Sequence, residues 1–206
     1  MNKDAFIGIA RHRLGTDGQG VTTLAAFYGC PLRCKYCLNP HSWRENDRLR
    51  HFTPAELYEQ LKIDQLYFIA TGGGVTFGGG EPLLRPEFLA EFRALCGNGW
   101  RLCVETSLAV PWSAVETAAG CIDEFIVDCK DTNPVIYKAY TGKDNGEMLQ
   151  NLQRLAKLIA PERIIVRLPL IPDFNTDADR DASEALLRSY GIERFDRFVY
   201  KTNIDK

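Results

Sequence analysis

No run in the 206-residue chain comes near the ~20 consecutive apolar residues that a bilayer core demands, and Met1 to Phe6 carry no signal-peptide apolar core. A cytosolic protein that neither spans a membrane nor is exported is expected. Neither sign of charge is in excess, because 25 Lys and Arg stand against 27 Asp and Glu for a formal net charge of -2. Without a basic surplus, no nucleic-acid partner is expected. No Ser/Pro-rich linker or block of like charge divides the sequence, so one domain over residues 1–206 is expected, and a 45% apolar composition can bury a core without a metal clip. Cysteines at ligand spacing are also few. Of the seven, Cys96, Cys103, Cys121 and Cys129 are scattered and read as small core residues, which leaves no second metal cluster. A cytosolic setting disfavours disulfides as well.

What is present is Gly29-Cys30-Pro31-Leu32-Arg33-Cys34-Lys35-Tyr36-Cys37, a CxxxCxxC spacing that gathers three thiolates and supplies no fourth. A structural zinc site closes its tetrahedron, whereas a [4Fe-4S] cube held by three cysteines leaves one iron open to a reacting ligand. His41 follows Cys37 at CxxxH spacing, so a Cys3His zinc staple is the alternative. Tyr36 offers a ring that can lie against a flat adenine.

Val21 to Tyr28 reads as a buried strand feeding the cysteine loop. Thr53-Pro54-Ala55-Glu56 reads as a capping box that opens a helix with Leu57 and Leu61 inward. Asp64 to Ala70 is too short for its period to separate strand from helix. Strand Gly74 to Phe77 and a helix from Pro86 to Leu95 follow, the latter with Phe88, Leu89, Phe92 and Leu95 on one face. Strands at Arg101 to Thr106, Phe125 to Asp128, Ile164 to Leu168 and Phe195 to Tyr200 then alternate with helices at Trp112 to Ala118, Met148 to Leu158 and Asp179 to Tyr190. About six such units imply an α/β fold with a parallel sheet and outer helices. A curved, incomplete (β/α)6 barrel is the first choice and a flat doubly wound sheet the second.

In such sheets the reactive side chains collect at the carboxyl ends of the strands. Cys30, Gly78, Thr106, Asp128 and Pro169 all fall at or just past those ends. Gly78-Gly79-Gly80-Glu81 gives either a backbone edge open to a ligand or a plain tight turn. Glu105, Asp128 and Lys130 bring two carboxylates and an ammonium to one mouth, as ligands or as a surface ion pair. Arg167, set among apolar strand neighbours, needs either an anionic ligand or an internal salt bridge.

Together the cysteine run, Gly72-Gly73-Gly74-Val75-Thr76-Phe77-Gly78-Gly79-Gly80-Glu81-Pro82-Leu83-Leu84 and Asp17-Gly18-Gln19-Gly20-Val21 resemble the radical S-adenosylmethionine (SAM) enzymes. Within them they look like the glycyl radical enzyme activases of the pyruvate formate-lyase-activating type, from about Ile7 to Tyr200. The resemblance implies a barrel of the radical SAM type, a [4Fe-4S] cluster on Cys30, Cys34 and Cys37, and reductive cleavage of SAM to a 5'-deoxyadenosyl radical. That radical would take a hydrogen from a glycine of a partner enzyme. A small radical SAM enzyme acting on a metabolite is the second choice.

The resemblance further implies that Gly79, Gly80 and Glu81 meet the SAM ammonium, Lys130 its carboxylate, Asp128 its ribose, and that Arg167 and Tyr36 also line it. It implies a monovalent cation, Na or K, at Glu105, Thr106 and Asp128, and contact of Asp17 with the partner's glycine segment. A flavodoxin or ferredoxin is the expected electron donor and a monomer the expected state. Several positions depart from the family pattern: Gly78 replaces Ser, Glu105 replaces Asp, Gln19 replaces Pro, Thr22 replaces Arg, and Leu38 replaces His. Tyr200 and Lys201 stand where a histidine is expected.

Overall fold

The computed structural model describes residues 3–15, 17–44 and 48–200. Among them eight strands form one sheet: β1 (Asp4–Leu14), β2 (Val21–Phe27), β3 (Arg50–Phe52), β4 (Gly74–Gly79), β5 (Arg101–Thr106), β6 (Glu124–Asp128), β7 (Ile164–Leu170) and β8 (Arg194–Val199). The helices are α1 (Pro54–Leu61), α2 (Gln65–Thr71), α3 (Pro86–Cys96), α4 (Trp112–Ala119), α5 (Pro134–Thr141), α6 (Gly146–Leu158) and α7 (Asp177–Ser189). None is long and apolar enough to cross a membrane.

The sheet order is β3-β1-β2-β4-β5-β6-β7-β8, with β2 and β4 to β8 parallel and β1 antiparallel to both neighbours. The parallel strands follow chain order without reversal. Right-handed crossovers then place every helix on the same face, which curves the sheet into a barrel wall and rules out the doubly wound alternative. The order ends at β3 and β8, so the barrel is incomplete.

Local signals explain most of these elements. Thr53 caps α1 and Glu56 returns the bond, with Glu56 N donating to Thr53 Oγ1 at 3.2 Å and Thr53 N to Glu56 Oε2 at 2.9 Å. Such a cap is worth ~1 kcal/mol. The Asp64–Ala70 stretch resolves as helix α2, which buries Phe68 and leaves Leu66 exposed. Helix α7 begins earlier than expected because Thr176 and Asp179 form a second capping box. Strands β1 and β3 and helix α5 are absent from the sequence-based expectation. The outer half of β1 carries charged, exposed residues without strand alternation, although Asn133, Pro134 and the left-handed Gly142 bracket α5 plainly.

Two burial expectations need correction. Leu95 is exposed, unlike its helix neighbours Phe88, Leu89 and Phe92, because the last turn of α3 leaves the packed layer. Cys96 and Cys121 are only half-buried at the core margin, while Cys103 and Cys129 are buried.

Side chains alternate across each strand and separate core from site. Phe27, Phe77, Val104 and Val127 face the helices, where Phe6 stacks on Phe27 at 4.2 Å and Phe77 meets Phe92 at 5.2 Å. Gly78, Glu105, Asp128 and Arg167 take the alternate, concave parity. Register places Glu105 beside Ile126, Asp128 beside Arg167, and Arg167 beside Asp196.

Candidate active site

The loop after β2 is held from three sides. Gly29 N donates to Ser42 O at 3.1 Å, and two bonds run to the carboxyl end of α5, Arg33 N to Thr141 O at 2.9 Å and Lys35 N to Tyr140 O at 3.1 Å. Buried Leu32 anchors the turn, and the Arg33 guanidinium folds back to the Cys30 carbonyl at 2.6 Å. Helix α5 therefore helps to fix the cysteine loop, together with Ser42 and Leu32.

Cys30, Cys34 and Cys37 are free, half-buried thiols. Burial pushes Cys30 up to about 12, with Glu81, Cys34 and Cys37 adding to the shift. Burial also pushes Cys34 up to about 11, and Lys130 pulls it back. Three mutually repelling sulfurs of this kind ionise only beside concentrated positive charge, which an iron-sulfur cluster supplies. The donor set fits that group. His41 is exposed, and among the described residues no three His, Cys, Asp or Glu side chains gather around a single ion. A cube spreads its cysteines over separate corners, wider than the shell of one zinc. The buried Tyr137 hydroxyl has no hydrogen-bond partner among the described residues and lies within electrostatic reach of Cys34 and Lys130, another group suited to a polar occupant.

Aromatic rings wall one side of the loop. Tyr36 packs on Tyr140 at 6.1 Å and on Phe174 at 5.7 Å, and its hydroxyl donates to Asp173 Oδ2 at 3.0 Å. Tyr200 donates to the Tyr36 carbonyl at 2.8 Å, and the Lys130 ammonium sits 5.8 Å from the Tyr200 ring. Tyr200, at the position where the resemblance implies a histidine, is thus bonded to the cysteine loop, while Lys201 lies outside the described residues.

The glycine segment continues β4 alongside the cysteine loop. Gly80 N donates to Phe27 O at 2.9 Å and Glu81 N to Gly29 O at 2.7 Å. Gly79 has φ +86°, and a Cβ on Gly80 would stand 2.1 Å from the Gly29 carbonyl oxygen. Both glycines are thus required by close backbone approach. The Glu81 carboxylate points inward, 1% exposed, and accepts from Thr106 Oγ1 at 2.6 Å, Ser107 N at 2.9 Å, Ser107 Oγ at 2.7 Å and Leu83 N at 3.1 Å. Its side chain braces the strand ends from within. Ser107 carries no local sequence signal, because its partner lies 26 residues away.

Charged groups line the concave face below. Lys130 Nζ lies 3.0 Å from Asp128 Oδ2, and Arg167 Nη1 donates to Glu105 Oε1 at 2.7 Å. Burial alone would lower Lys130, but Asp128, Cys34 and Tyr200 outweigh it and hold the ammonium well above its usual range. Burial would likewise raise Asp128, and Lys130 and Arg167 outweigh it to keep the carboxylate ionised. Asp17 is placed apart from the cysteines, 2% exposed and ion-paired with Arg13. The Asp17–Gly20 turn tucks into the concave face, where a Cβ on Gly18 would meet Cys103 Sγ at 3.0 Å. A cavity of about 820 Å³ runs from Arg167 and Asp196 past Gly18 and Ile126 to Glu124 and Arg194 at the opposite end of the barrel.

The family model of the Radical SAM superfamily matches residues 25–186 of the chain. The chain is 31% identical to the (2S)-3-sulfopropanediol dehydratase activating enzyme of Klebsiella oxytoca, an alignment covering 78% of this chain and 69% of that protein. It is 33% identical to the pyruvate formate-lyase-activating enzyme of Staphylococcus aureus, covering 81% of this chain and 68% of that one. Among solved structures, Streptococcus suis SuiB bound to S-adenosylmethionine superposes with a TM-score of 0.65 at 14% identity, over 86% of this chain and 39% of SuiB. TYW1 with a lysine-pyruvate adduct gives 0.62 at 14% identity, over 87% of this chain and 65% of TYW1. At such identities these two matches speak to the fold alone.

Proposed function

The chain belongs to the radical SAM superfamily, among its glycyl radical enzyme activases, and on that footing we propose that it installs a radical on a glycine of a partner enzyme. The observation that carries this reading is the three-thiol loop of Cys30, Cys34 and Cys37, pinned beside the Gly79–Glu81 edge and facing Lys130. When bound, the [4Fe-4S] cluster and SAM supply one-electron cleavage of the sulfonium and a carbon radical that abstracts hydrogen.

The chain's own residues bind, orient and shield. Lys130 offers its ammonium to the SAM carboxylate, as a charge-assisted bond beside the cysteine loop. Asp128, kept ionised by Lys130, is available to the ribose hydroxyls. Gly79 and Gly80 present bare backbone to the SAM ammonium, and Glu81 fixes that edge through Thr106 and Ser107. Tyr36, Tyr140, Phe174 and Tyr200 exclude water on one side, which protects a reactive radical from quenching. Arg13 clamps Asp17, so an incoming glycine loop meets the backbone of the Asp17–Gly20 turn. The electron comes from a flavodoxin or ferredoxin, and the setting is a reducing cytosol in which the chain acts as a monomer.

Anaerobic purification tests the reading: four irons per chain and 5'-deoxyadenosine release on reduction support it, whereas one zinc per chain and a colourless protein reject it. Lys130→Ala is expected to weaken SAM binding by ~1.5–3 kcal/mol, about 10- to 150-fold in Kd. Equilibrium dialysis against the reconstituted enzyme measures this, and an unchanged Kd would limit Lys130 to its pairing with Asp128.

A further inference from the structure

The monovalent cation implied by the resemblance does not fit the residues present. Each would-be ligand already has an internal partner. Glu105 accepts from Arg167 at 2.7 Å, Asp128 lies 3.0 Å from Lys130 and 4.0 Å from Arg167, and the Thr106 hydroxyl donates to Glu81 at 2.6 Å. Three carboxylates, Glu105 at 2.7 Å, Asp196 at 3.6 Å and Asp128 at 4.0 Å, thus stand around the Arg167 guanidinium, and Asp128 is also paired with Lys130, so each already has a cation beside it.

The neighbouring glycine is part of the same arrangement. A Cβ on Gly78 would sit 3.0 Å from Glu105 Oε2 and 3.2 Å from Leu24 Cδ1, so the room for the longer Glu105 side chain exists because position 78 carries no side chain. Register sets Arg167 directly beside Asp128 on the adjoining strand, so its position is fixed by the sheet as well as by its side chain. An alkali ion entering here would have to displace a guanidinium that cannot give up its proton.

We propose that the Arg167 guanidinium serves as a built-in cation between Glu105 and Asp128, so that this enzyme binds SAM without Na or K. The assignment rests on the activase reading of the same site and makes Arg167 a positioning residue: it holds the two carboxylates where an ion would otherwise hold them.

The test uses the anaerobically reconstituted holoenzyme. SAM affinity is measured in choline, sodium and potassium chloride at equal ionic strength, and retention of radiolabelled rubidium is measured by equilibrium dialysis with and without SAM. The expected result is a Kd that agrees within about twofold in all three salts and no saturable rubidium. Tightening of about tenfold by Na or K, or one rubidium per chain, overturns the proposal. Failure to bind SAM in any salt would instead strike at the activase reading, and rubidium retention would still decide the cation question. Arg167→Gln, which leaves Glu105 and Asp128 without their guanidinium, is expected to acquire a rubidium site. If that variant folds and retains none, Arg167 does not take the ion's place.

Discussion

Cys34→Ala is expected to leave a folded chain that no longer cleaves SAM. The substitution removes one sulfur from a half-buried loop whose backbone is held by bonds from Arg33 and Lys35 to α5, contacts that do not involve the side chain. The cost to stability should therefore be about 1 kcal/mol or less. The chemical cost is of another order. With two thiolates the loop cannot hold a cube with one open corner, so 5'-deoxyadenosine formation should fall by about a thousandfold or more, toward background. Iron analysis, the absorption spectrum and product chromatography on the anaerobic protein follow the two effects separately. A Cys34→Ala protein that still cleaves SAM would remove the ligand assignment.

Gly80→Ala should do the reverse and damage the scaffold first. The added methyl would lie 2.1 Å from the Gly29 carbonyl oxygen, which itself accepts the Glu81 amide at 2.7 Å, while Gly80 N is bonded to Phe27 at 2.9 Å. Neither side of this contact is a flexible side chain. Relief requires the glycine edge to move off the cysteine loop, at about 3 kcal/mol. Gly99→Ala is the control, because a Cβ there meets nothing within 4 Å. Urea unfolding of the two metal-free variants is expected to separate them clearly, and Gly80→Ala should also take up iron poorly. Equal stability of the two would mean that the edge and the loop are not coupled as described.

The parts of this site that are legible in the sequence are those encoded locally. The CxxxCxxC run, the glycine edge, the capping box of Thr53 and Glu56, and the alternating units that place Thr106, Asp128 and Pro169 at strand ends all lie within short windows. What escapes is encoded by partners far apart in the chain. Ser107 matters because it satisfies Glu81, Tyr200 because it bonds to Tyr36, and α5 because its last turn receives the cysteine loop. Strand β1 escapes for a different reason: it gains its order by pairing with β2 and β3 on either side, and its exposed outer half shows no alternation to read. The Glu105–Arg167 pair is intermediate. Each residue stands out alone, but only the parallel register of β5, β6 and β7 shows that they meet.

The most direct measurement is electron paramagnetic resonance of a mixture of reduced, reconstituted enzyme, SAM and a candidate glycyl radical enzyme. A glycyl doublet that disappears when the partner's target glycine is changed to alanine is the predicted result. SAM consumed with no doublet on any such partner, while a small metabolite is turned over instead, would contradict it.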